Sequence, residues 1–144
     1  MGTTKNYASN EVSASLSGRE LNDGRASDEF MTVAWNSELY TLKKGADGFG
    51  VRSKSNDFSA KVTLKLLRSS PVHRTLTAMM LLSRDSTNGD DMGVFLARDR
   101  NDGLEYKSEK SWISKHPDLS FGTEAGEVSW EITCDDLRPI VEVV

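Results

Sequence analysis

Phe58-Ser-Ala-Lys-Val-Thr-Leu-Lys-Leu-Leu67 is the stretch on which the fold turns. Phe58, Ala60, Val62, Leu64 and Leu66 fall on one parity, and Ser59, Lys61, Thr63 and Lys65 fall on the other. Side chains in a strand point to opposite faces with a period of two, so this is a strand with one face in a core and one polar face. The pattern returns near the end of the chain. There Val128, Trp130, Ile132 and Cys134 alternate with Glu127, Ser129, Glu131 and Thr133. It also occurs near the start, where Val12, Ala14 and Leu16 interleave with serines, and over 30–36, where Met31, Val33 and Trp35 share a face.

The punctuation between these runs is consistent with a β-rich chain. Residues 39–42 extend the 30–36 strand or open a hairpin arm, whose turn lies in Lys44-Gly-Ala-Asp-Gly-Phe-Gly50, with Asp47-Gly48 as the turn dipeptide. Ser70 is placed to cap a helix and Pro71 to sit in its first turn. Val72, Leu76, Met79, Met80 and Leu82 follow at helical spacing, which predicts a helix over 71–84. A loop over 85–91 turns at Asn88-Gly89, and strands at 92–99 and 104–108 flank the hairpin signal Arg100-Asn-Asp-Gly103. Trp112 and Ile113 lead to Pro117, 119–126 is irregular, and 137–143 is a last strand that Pro139 assigns to an edge. There is no βαβ rhythm. The expected fold is α+β and mostly β: one domain over 1–144, a small antiparallel sandwich or barrel of about seven strands, with one flanking helix and an extended hairpin arm at 39–58.

Composition narrows the function classes. Apolar residues make up 37% of 144, low for a compact domain, while three Trp and five Phe argue against disorder. Either the fold is thin or its burial is completed by neighbouring copies. A net charge of −4 disfavours a surface that grips nucleic acid, since such surfaces are basic. The single cysteine, Cys134, admits no intrachain disulfide and falls on an apolar strand face, where an inert thiol is expected. No run approaches membrane-spanning length, and residues 1–10 lack the apolar region of a secretory signal.

Chemistry-bearing constellations are weak. His73 lies in the helix without a second histidine or a glutamate at zinc-ligand spacing, and His116 precedes Pro117 in a loop. Asp85-Ser-Thr-Asn-Gly-Asp-Asp91 lacks the alternate carboxylates and distal glutamate of a calcium loop. Gly45, Gly48 and Gly50 do not join a strand to a helix start, as a phosphate-binding turn requires. The expectation is no catalytic, cofactor-binding or metal residue, and no enzyme. The arm is the odd feature. A lone domain gains little from a long polar hairpin, whereas an arm that reaches a second copy has a purpose.

Several segments occur together in a recognisable order. They are Ala46-Asp47-Gly48, Arg52-Ser-Lys54, Asn56-Asp57, Ala60-Lys-Val-Thr63 and 67–71 with Leu76. Trp112-Ile113, Pro117-Asp118, Phe121-Gly122, Glu124 with Gly126, and Trp130 follow. Over about residues 41–144 this order resembles the inner tail tube proteins of contractile-tailed phages, the group of Mu-like phages and R-type pyocins. The resemblance implies a structural subunit of the virion tail, assembled in the host cytoplasm, that forms hexameric rings stacked around a lumen. Strands of neighbouring copies join into one barrel, and DNA passes without sequence-specific binding. It implies sheath, baseplate and tail-terminator proteins as partners, with no cofactor and no membrane.

On that reading the inter-ring contact falls on Lys44, Asp47, Gly48, Arg52, Asn56 and Asp57, with charge pairs setting register. The lumen is lined by Ser59, Lys61, Thr63, Lys65, Glu127, Ser129, Glu131 and Thr133, with Lys61 or Lys65 beside Glu127 or Glu131. The tube of a phage-derived injection particle and a single-ring tail-completion or baseplate adaptor are the alternatives.

Overall fold

The computed structural model describes residues 4, 7–26, 29–87, 92–124 and 126–141. Among them run strands β1 (Val12–Leu16), β2 (Arg19–Glu20), β3 (Met31–Trp35), β4 (Tyr40–Lys44), β5 (Gly50–Lys54) and β6 (Ala60–Leu67). The helix α1 (Val72–Asp85) follows, then β7 (Gly93–Asp99), β8 (Leu104–Lys115), β9 (Glu127–Cys134) and β10 (Arg138–Val141). The chain is α+β and mostly β. One antiparallel sheet has the order β2-β1-β7-β8-β9-β6-β3, with β10 also on β8, and β4 and β5 form a separate two-stranded sheet. The expected turn at Asn88-Gly89 and the last residues of the 137–143 strand lie outside the described residues.

The large sheet rolls towards a barrel, and one short segment bridges its two ends. Arg19 and Glu20 pair with β1, and Leu21 N–H donates to Ala14 C=O at 2.9 Å. The same segment then crosses to β6. Arg25 bridges Leu66, Ala26 N–H donates to Lys65 C=O at 3.2 Å, and Leu67 N–H donates to Gly24 C=O at 2.7 Å. The crossing depends on Gly24. Its φ is +73°, and a Cβ there would stand 2.5 Å from Ser70 Cβ, so both the backbone and the packing exclude a larger residue.

The inner face holds the core expected from the alternation. Ala60, Val62, Leu64 and Leu66 of β6 meet Val128, Trp130, Ile132 and Cys134 of β9, closed by Leu16, Leu21, Phe95 and Leu137. Burial raises the Cys134 thiol above its ordinary pKa, a shift partly offset by the Ser111 and Ser108 hydroxyls. Cys134 is therefore expected to resist maleimide in the folded protein and to react only on unfolding. Labelling at the rate of a free thiol under native conditions would contradict this packing.

Helix α1 lies where the periodicity places it. Ser70 Oγ accepts from Val72 N–H at 3.2 Å and donates to Asp23 C=O at 2.5 Å, so one hydroxyl ties the helix start to the crossing segment. Val72 and Leu76 are buried, while Leu81 and Leu82 stay exposed. His73 pins the helix to the sheet. Its Nδ1 accepts from the Trp130 indole N–H at 3.0 Å, which leaves Nε2–H to donate to Leu67 C=O at 2.8 Å.

The chief departure from the sequence reading is β8. The strand expected at 104–108 continues to Lys115 and carries Trp112 and Ile113. Its register with β7 jumps between the pairs Phe95↔Ser108 and Gly93↔Ser111, a bulge that changes the neighbours of the strand. Before the bulge β8 pairs with β10, and beyond it with β9. β9 and β10 follow the same course, bending at 135–137, where Asp135 N–H donates to Lys110 C=O at 2.9 Å. Pro139 lies in β10, which pairs on one side with β8.

Candidate functional site and assembly surfaces

Two surfaces carry the sequence-derived candidates. The first is the outer face of β3, β6, β9 and the far half of β8. The β6–β9 register pairs Lys61 with Thr133, Thr63 with Glu131, Lys65 with Ser129, and Leu67 with Glu127. Lys61 and Lys65 are therefore each diagonal to Glu131, and Lys65 is also diagonal to Glu127, within reach of long side chains. On the flanks, Thr32 and Ala34 of β3 stand opposite Thr63 and Lys61, and Trp112 of β8 stands opposite Thr133. Ser114 Oγ shares a hydrogen bond with Thr133 Oγ1 at 2.5 Å. Ser59 precedes β6 and accepts the Asn36 side-chain amide at 3.0 Å. The register thus places β6 and β9 side by side, with both polar sets on one continuous face.

This face has two free edges. Among the described residues, no strand pairs with β3 on the side away from β6. Beyond the bulge, the side of β8 away from β9 meets β7 at Gly93↔Ser111, and among the described residues Trp112 to Lys115 have no strand partner there. The alternation hints at the face but says nothing of its edges, which follow from the bulge.

The second surface is the arm, β4 and β5. Their register runs from Tyr40↔Lys54 to Lys44↔Gly50 around a turn in which Gly45 N–H donates to Phe49 C=O at 2.8 Å. Asp47 Oδ1 accepts from Phe49 N–H, and Gly48 has φ +92°. Arg52 stacks over the Tyr40 ring at 4.3 Å. Every residue of both strands is exposed, with Leu42 at 66% and Val51 at 63%, and Phe49 of the turn is 78% exposed. An isolated two-stranded hairpin is marginally stable in water, so an arm of this kind calls for a surface to lie on.

At the base of the arm, Asp57 accepts from Ser37 Oγ–H at 2.6 Å and from Ser59 N–H at 2.9 Å, bonds that hold its carboxyl below the ordinary carboxylate pKa. Asp57 thus anchors the root of the hairpin, with Asn56 beside it on the exposed connection.

Among the described residues, no group of three or more His, Cys, Asp or Glu is arranged to hold a metal ion, and no helix is long and apolar enough to cross a membrane. His73 spends both ring nitrogens on structure, and His116 Nδ1 lies 2.8 Å from the Pro117 carbonyl.

The family model described as "Bacteriophage PhiTE tail tube protein" matches residues 5–141. A search of curated proteins returns no significant match. Solved structures share the fold at very low identity. One is the sheath/tube terminator of the extracellular contractile injection system PVC in its extended state, with TM-score 0.61, 7% identity, and 97% of this chain and 100% of that chain covered. Another is the tube-terminating cap of the anti-feeding prophage, with TM-score 0.61, 6% identity, and 99% and 95% covered. A third is from the PVC sheath-tube complex, with TM-score 0.56, 8% identity, and 91% and 88% covered.

Proposed function

Because the chain belongs to the phage PhiTE tail tube protein family, we propose that it forms the wall of the tail's inner tube, as hexameric rings stacked around a lumen that conducts DNA at ejection. The observation that carries this reading is the polar four-stranded face bounded by two free edges. In a ring, the β3 edge of one copy pairs with the 112–115 edge of the next. That contact is head-to-tail, so a rotation that closes gives a ring, and a closed barrel leaves no strand edge exposed.

The polar face then lines the bore through Lys61, Thr63, Lys65, Glu127, Ser129, Glu131 and Thr133, with Ser59 at its margin. Lysines and glutamates set diagonally neutralise one another, so few counterions are exchanged when DNA passes, and the duplex slides without sticking. The chain works by geometry and not by catalysis. Rings stack through the arm, which includes Lys44, Asp47, Gly48 and Arg52, with Asn56 and Asp57 at its root. As a tail component assembled in the host cytoplasm, the tube meets the sheath outside and baseplate and terminator proteins at its ends. The sheath/tube terminator, tube cap and sheath-tube complex that share its fold are consistent with that setting.

Negative-stain microscopy of concentrated protein tests the reading. Hollow tubes or stacked rings are expected, single rings would point to an adaptor, and a monomer at every concentration would sink the proposal. The lumen assignment has its own check. A Ser129→Cys variant is expected to react with a bulky polymer-linked maleimide as dissociated subunits and to be shielded in tubes. Equal labelling in both states would place this face outside.

A further inference from the structure

The barrel bridged by the 19–26 segment stays open on one side, between β3 and the inner faces of β1, β7 and β8. A cleft of about 390 Å³ occupies the gap. Phe30, Met31, Val33 and Tyr106 supply an apolar wall, and Glu29 and Asp99 lie among the residues that line it. Among the described lining residues the one cation is Arg98, whose Nε lies 2.7 Å from Glu105 Oε1, an ion pair in which the N–H does not point at the oxygen. Arg25, stacked over Phe30 at 4.5 Å, is committed to the carbonyls of Asn22 and Ser9. Among the described residues, Glu29 and Asp99 make no ion pair, though Asp99 Oδ1 accepts from Asn101 N–H at 2.9 Å and from the Asn101 side-chain amide at 2.8 Å.

From this geometry we infer that the cleft is the receptor for the arm tip of a second copy, with Phe49 entering the apolar wall and Lys43 or Lys44 meeting Glu29 or Asp99. The inference rests on the tube reading and specifies its axial contact. Three observations converge on it. The arm carries exposed Leu42, Phe49 and Val51, which need cover. Its blade bears Lys43, Lys44, Arg52 and Lys54 against Asp47, complementary to the acidic Glu29 and Asp99 of the cleft, of which Glu29 has no cation beside it among the described residues. The contacts of β4 and β5 are chiefly with each other, so the arm does not fill the cleft of its own chain and the partner must come in trans. The cleft is large enough for an anchoring aromatic side chain, the kind of group that dominates small interfaces.

Cross-linking and charge reversal test this contact. A Phe49→Cys/Val33→Cys variant, with buried Cys134 left in place, is assembled and mildly oxidised. A ladder of disulfide-linked multimers on a non-reducing gel is expected, whereas intact tubes that run as monomer overturn the contact. The second test uses exposed charges, Lys43, Lys44 and Glu29, and leaves Asp99 in place because it holds the turn through Asn101. Lys43→Glu/Lys44→Glu is expected to raise the concentration needed for assembly by roughly tenfold or more, given the coupling of close charge pairs. Adding Glu29→Lys in the same chain is expected to recover assembly, at least in part. Wild-type tubes with no recovery in the combined variant overturn the cleft as receptor and leave the tube reading standing. A wild-type chain that never polymerises overturns both.

Discussion

A Leu42→Ser/Phe49→Ser/Val51→Ser variant is expected to fold as the wild type does and to fail to form tubes. The three side chains are largely exposed in the isolated subunit, so their replacement moves folding stability within about 0.5 kcal/mol, as surface changes do. In an axial contact each is buried against a second copy. Full burial of such a side chain contributes about 1.5–3 kcal/mol. Losing all three weakens one contact by roughly a thousandfold or more, and a ring makes that contact repeatedly. Sedimentation velocity gives the readout, with near-native circular dichroism, a slow peak of subunits or single rings, and no fast polymer. Tubes at the wild-type concentration would remove the arm from the axial interface.

The largest effect on the subunit itself belongs to Trp130→Ala. Trp130 is 2% exposed at the centre of β9, and its indole N–H is held by His73. Removing a buried tryptophan costs about 3–5 kcal/mol through lost transfer energy and the cavity left behind. It also frees the joint between helix and sheet. Against a domain stability of about 5–15 kcal/mol that is a large share, and a fall in Tm on the order of 10 °C is expected. His73→Leu separates the two contributions. It keeps the ring of Trp130, orphans its N–H and removes the donor to Leu67 C=O, which still accepts from Ser70 N–H, at a cost of about 1–3 kcal/mol. If His73→Leu lost as much as Trp130→Ala, the hydrogen bond and not the packing would be the main support.

The fold was legible where burial is one-sided. β6 and β9 are central strands with a core face and a solvent face, so their sequences alternate and their limits can be read directly. β8 was not legible beyond Ser108. Its buried positions at the bulge are Ser108 and Ser111, small polar residues facing Cys134, so Lys107-Ser-Glu-Lys-Ser111 presents no apolar parity. β2 is two residues long and has no pattern to show. The arm was visible as an oddity, while the exposure of Leu42, Phe49 and Val51 required the three-dimensional context. The cleft was invisible from sequence. Its walls come from residues as distant as Glu29 and Tyr106, brought together by the rolling of the sheet. The polar parities of 59–65 and 127–133 indicated a solvent face, but only the β6–β9 register makes them one surface.

The crossing segment at 19–26 bears on the order in which the molecule is made. β1 finds its partner in β7, with Val12 opposite Asp99, and β6 waits for β9, with Ala60 opposite Cys134. Pairings between residues this distant in sequence form slowly, because long loops must close before any contact rewards them. A ribosome releases the first half of this chain before either pairing is available, so β1, β3 and β6 emerge with edges open to other nascent chains. The bridge through Gly24 joins β1 and β6, both in the first half, but the sheet that runs between them is complete only when β7, β8 and β9 have been made. The proposed ring contact uses the 112–115 edge of β8, so on that proposal a chain becomes competent to assemble only after its later strands have been synthesised.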